Sequence, residues 1–101
     1  MNTKFLPTPI AKIIEDLFAK TQYKKKFTES QLIDTWASIV GEKLNQHTRP
    51  EKIHNGVLNC RVDSSPWLYE LQFMKKELVT KINTVMKKRL VRDIYFILGK
   101  V

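Results

Sequence analysis

A chain of 101 residues, 43% of them hydrophobic, with three Gly and four Pro, has room for one core and is not composed like a disordered segment. Its apolar runs are too short to span a bilayer, and Met1-Asn2-Thr3-Lys4 opens no stretch of signal-peptide length, so a cytoplasmic protein is expected, with nucleoid association open to it. The single cysteine, Cys60, excludes an internal disulfide, and 18 Lys and Arg against 10 Asp and Glu give +8, a balance that favours polyanions.

Residues 1–7 read as a loose arm. Thr8-Pro9 then opens a helix, since Thr can cap and Pro suits the first helical position. Ile10, Ile13, Ile14, Leu17 and Phe18 form one apolar stripe that stops before Thr21. Residues 22–27, with Tyr23-Lys24-Lys25-Lys26, read as a basic linker. Thr28 and Gln31 stand three apart as a capping box, and the helix they predict carries Leu32, Ile33, Trp36, Ile39 and Val40 on one side. Gly41 interrupts or ends it, and Leu44 extends the stripe toward His47 before Arg49-Pro50 disfavours further helix.

Asn55-Gly56 predicts a two-residue hairpin turn between strands over 50–54 and 57–63. In the second strand Leu58, Cys60 and Val62 alternate with Asn59, Arg61 and Asp63, one face buried and one wet. Ser64-Ser65-Pro66 opens the next helix, on which Trp67, Leu71, Met74, Leu78, Ile82 and Val85 face a core and Gln72, Lys76, Thr80, Asn83 and Lys87 lie opposite. Lys87-Lys88-Arg89 closes it in keeping with the helix dipole. A last strand over 91–98 sets Ile94, Phe96 and Leu98 on one face and Tyr95 with Ile97 on the other, which suggests partial cover on both. The expected fold is one α+β domain over 1–101, ordered α-α-β-β-α-β, with the last strand parallel to one arm of the hairpin and helices on one face of a three-stranded sheet.

No constellation for catalysis is visible. His47 and His54 lack metal-site spacing or a paired nucleophile, and read as a helix-end residue bonding carbonyls and a turn residue. Cys60 reads as a small buried apolar side chain, and Trp36 and Trp67 as core residues of their stripes. An enzyme, a cofactor, a metal and a small-molecule substrate are therefore not expected.

Several separate pieces resemble the DciA family. They are Trp36-Ala37-Ser38-Ile39-Val40-Gly41; Leu44 with His47-Thr48 and Pro50; Asn55-Gly56-Val57-Leu58; Val62-Asp63-Ser64-Ser65-Pro66-Trp67 with Glu70-Leu71; Lys76-Glu77-Leu78 with Ile82-Asn83; and Arg92-Asp93-Ile94. Their order and spacing over about residues 28–98 carry the resemblance. It implies a KH-like fold and a role in bacterial DNA replication as a helicase-loading adaptor, with DNA and the replicative helicase DnaB as partners and no ATPase activity. Family members often carry a flexible tail, whereas this chain ends at Val101, just past the last strand. Gly41-Glu42-Lys43-Leu44 lacks the second glycine of the G-x-x-G loop by which KH domains approach phosphates, so KH-type RNA binding is not implied.

The residues expected to meet single- or double-stranded DNA fall in two groups: Lys24, Lys25 and Lys26 in one, and Lys75, Lys76, Lys81, Lys87, Lys88, Arg89 and Arg92 in the other. Tyr23, Phe27, Tyr69 and Tyr95 lie near them and could stack on bases. The alternatives are a non-catalytic protein-interaction module whose basic surface meets an acidic partner, an RNA-binding KH-like module, or a merely solvated basic face. No membrane partner is expected.

Overall fold

The structure is a computed structural model that describes residues 6–101; most of the expected N-terminal arm lies outside the described residues. At its centre is the hairpin. Asn55 and Gly56 take φ of 51° and 77°, so both turn positions have the positive φ that a type I′ loop demands. The turn joins β1 (Thr48–His54) to β2 (Val57–Val62) in antiparallel register, Arg49 opposite Arg61 and Ile53 opposite Leu58, with an irregularity between Pro50 and Ile53. From β2 the chain passes through α3 (Ser65–Met86) to β3 (Asp93–Leu98), which lies parallel to β2, Val57 opposite Asp93 through Val62 opposite Leu98. The sheet order is β1-β2-β3.

Alternation then sorts the side chains. Leu58, Cys60, Val62, Ile94 and Phe96 are buried together on the face covered by helices, with Leu71, Leu78 and Ile82 of α3 packed over them. The opposite face is open: Tyr95 is 62% exposed, and Ile97 is exposed as well. The expected partial cover of both faces is thus not found, and Leu98 leaves the core because β3 ends there at the sheet margin. Val85 is also exposed, and Met86 takes the last core contact of α3 in its place.

Before the hairpin stand α1 (Thr8–Val40) and the one-turn α2 (Glu42–Asn45), which completes the order α-α-β-β-α-β of an α+β fold. Residues 22–27 are helical, so the expected linker and the two helices around it form one helix of 33 residues. Its cause is propensity: between Pro9 and Gly41 there is no glycine or proline, and Gln, Lys and Phe between the apolar stretches do not stop a helix. The capping box is unused, because Thr28 sits mid-helix and its hydroxyl accepts from Lys88 Nζ at 3.5 Å. Gly41 does end the helix. Its φ of 88° turns the chain into α2, and its N–H donates to the Ala37 carbonyl at 2.9 Å.

Only the last part of α1 joins the core, through Leu32, Trp36 and Ile39. Trp36 is 2% exposed, and its indole N–H donates at 2.9 Å to Thr48 Oγ1, whose own hydroxyl donates at 2.6 Å to the Leu44 carbonyl. That relay fixes α1, α2 and β1 to one another. The first turns of α1 project beyond the sheet, and of the stripe expected there Ile10, Ile13, Leu17 and Phe18 are exposed and Ile14 is half-buried. The projection gives extents of 55 × 26 × 20 Å and a radius of gyration of 17.0 Å, where about 13 Å is usual for a chain this long.

Candidate nucleic-acid interface

The face of α1 around residues 22–33 stands over the edge of β1, and the space between them is a groove of about 580 Å³. Lys25 and Lys26 line it from the helix, Arg49 and Lys52 from β1, Arg61 from β2, and Lys100 from beyond β3. Two carboxylates share it. Glu29 Oε2 accepts the Ile53 backbone N–H at 3.2 Å, which pins β1 to α1, and Glu51 takes the Arg61 guanidinium at 2.6 Å. Six cations against two engaged acids leave an excess of four positive charges in a concave space. The register puts Arg49 directly across from Arg61, a like-charge pairing that costs stability and that Glu51 only partly offsets.

A second depression of about 310 Å³ shares Lys25 and Glu29 with the groove and is lined also by Lys24, Thr28, Ile53, Gly56 and Leu90. Two cations of the distant group reach its walls. Lys88 Nζ meets Thr28, and the Arg92 side chain lies over Gly56 and donates from Nε to the Asn55 carbonyl at 2.7 Å. Lys24 and Lys25 are thereby brought together with Lys88 and Arg92 across 60 residues of sequence, while Lys26 faces the first groove. Lys87 forms the left-handed C-cap of α3 at φ 58°, with Arg89 exposed beside it.

The rest of the expected set lies apart. Lys75 is 3.4 Å from Asp93 and ties α3 to β3. Lys76 and Lys81 share an outward face of α3 with Glu77, Thr80 and Thr84. Sequence reading missed Arg49, Lys52, Arg61 and Lys100. Arg61 was legible as a wet-face residue, but its neighbourhood with Arg49 exists only through strand register.

His47 does more than end a helix: Nδ1 lies 3.0 Å from the Asp63 carboxylate, and its ring stacks on Trp67 at 4.8 Å and 18°. Lys43 Nζ stands 5.6 Å from the same indole. Trp67, expected in the core, is half-buried at its margin. Cys60 is buried, and its burial pushes the thiol up to about 12, with a hydrogen bond from the Arg49 backbone opposing and Glu51 adding to the rise. A thiol so held is not a nucleophile. No helix among the described residues is long and apolar enough to cross a membrane.

Fold and groove define a small α+β domain whose concave surface is cationic. Residues 9–96 match the family described as Dna[CI] antecedent, DciA, and the chain belongs to that family. It is similar to a UPF0232 protein of Mycobacterium tuberculosis (strain ATCC 25618 / H37Rv), 27% identical over 88 residues, which are 87% of this chain and 47% of that protein. It is likewise similar to a UPF0232 protein of Mycobacterium leprae (strain TN), 33% identical over 76 residues, 75% of this chain and 40% of the other. The chain thus spans less than half the length of these relatives.

Proposed function

We propose that this domain is a non-catalytic DNA-binding adaptor that works with the replicative helicase DnaB in DNA replication, and that DNA lies along the α1–β1 groove. The observation that carries the DNA part is the groove's excess of four cations, gathered from three separate stretches of chain with both acids occupied. Lysines and arginines that neutralise phosphates release the counterions condensed on the DNA, so binding is sequence-independent and weakens with salt. Family membership supports the helicase part.

The test has two arms. Fluorescence anisotropy with labelled single- and double-stranded oligonucleotides at low salt is expected to show saturable binding to at least one form. Tagged protein is expected to retain the helicase from nuclease-treated native lysate. Absence of binding to either DNA form contradicts the first half. Helicase capture that vanishes on nuclease treatment contradicts direct contact. Binding of a protein partner that DNA never competes for favours the interaction-module alternative.

A further inference from the structure

The strongest feature that this reading leaves unused is the projecting start of α1. Ile10, Ile13 and Leu17 are spaced three and four apart and are 48%, 59% and 59% exposed, with Phe18 at 47% alongside and Leu6 at 40% at the entry. That spacing is the a/d seam of paired helices. A continuous apolar stripe of this kind on a small protein marks an interaction surface. An isolated helical stretch of this length is also marginal in water without a packed face.

We infer that the seam binds the same seam of a second copy of this chain, in antiparallel orientation. Charge selects the occupant. Between Thr8 and Thr21 the ionisable residues are Lys12, Glu15, Asp16 and Lys20, which cancel, although the whole chain carries +8. A neutral seam gives no attraction to polyphosphate, to an anionic lipid surface or to an acidic groove, each of which the rest of the protein would suit better. Against itself it meets no net repulsion.

Orientation follows from the same charges. A two-fold axis near Ala11 and Lys12 sets Ile10 against Ile13 of the other copy and brings Leu17 to the start of the other copy's α1. The two cationic bodies, each beginning near Thr28, then lie about 50 Å apart along the helix axis, several times the Debye length of about 8 Å. A parallel pair would bring them side by side. Covering the exposed seam in two copies removes on the order of 1,000 Å² from water, the lower limit for specific association, so a weak, concentration-dependent dimer is expected. Each dimer would present two cationic grooves at opposite ends of a helical bridge.

Sedimentation equilibrium of the whole chain, free of nucleic acid, tests this. The apparent mass is expected to rise from 11.9 kDa toward twice that value as concentration climbs from about 1 to 200 µM. The double variant Ile13→Asp, Leu17→Asp is expected to stay at the monomer mass, and to melt with the wild type at about 1 µM, where both are monomers, because neither side chain touches the core cluster. A wild-type monomer across the whole range overturns the inference, and so does a dimer that survives the double substitution. A wild-type monomer whose double variant no longer captures the helicase assigns the seam to that partner instead. Spin labels at Lys20→Cys are expected about 25 Å apart in the antiparallel pair; a separation near 10 Å overturns the orientation.

Discussion

Cys60 shows how one side chain records the sheet around it. It is fully buried between Leu58 and Val62 on the helix-covered face. The folded protein holds the thiol proton to about pH 12, while the unfolded chain releases it near the ordinary 9.0. The raised value means that folding favours the protonated form. This contribution to stability is present below pH 9 and is lost as pH rises toward 12. Alkaline unfolding followed by circular dichroism should therefore steepen across that window, and Cys60→Ala should flatten it. An identical alkaline profile in the two proteins contradicts the burial account. The Trp36–Thr48–Leu44 relay belongs to the same scale: the sequence places Trp36 on a core stripe, but only the structure supplies the hydroxyl that satisfies its N–H.

Among the elements, the connection from α3 to β3 depends on one polar side chain. Asn83 was expected on the solvent side of α3. It is instead half-buried, and it accepts the Leu90 and Val91 N–H groups at 3.0 and 2.9 Å while donating to the Val91 carbonyl at 2.7 Å. Asn83→Ala leaves these backbone groups without that partner and should cost about 1–3 kcal/mol in chemical denaturation. A change below about 0.5 kcal/mol, the range of ordinary surface substitutions, would show that water replaces the amide. The hairpin was legible because Asn55-Gly56 is a local signal, and β2 because its alternation is strict. The continuity of α1 was not. A lysine run looks like a linker when apolar spacing is the guide, yet lysine is a good helix former and nothing between Thr21 and Thr28 breaks the ladder. The stripe at residues 10–18 had the right period, but periodicity does not say whether the partner face belongs to the same chain.

At the scale of the whole molecule, charge is arranged unevenly. The groove between α1 and β1 draws cations from the helix, the hairpin and the segment after β3, while the stretch Thr8–Thr21 beyond it is neutral. The two lysine-rich stretches were visible in the sequence as separate runs. Arg49, Lys52, Arg61 and Lys100 were not visible as a group, because cross-strand register rather than sequence proximity assembles them. Lys75 illustrates the converse: a lysine in a basic run that the fold spends on Asp93.

The salt dependence of DNA affinity tests the groove most directly. With four cations in excess, the slope of log affinity against log salt is expected near −4 for duplex DNA. Arg49→Ala with Lys100→Ala should bring it to about −2, whereas Lys76→Ala with Lys81→Ala should leave it unchanged. A groove variant with the wild-type slope, or a loss confined to the Lys76 and Lys81 variant, would place the DNA elsewhere and contradict the proposed interface.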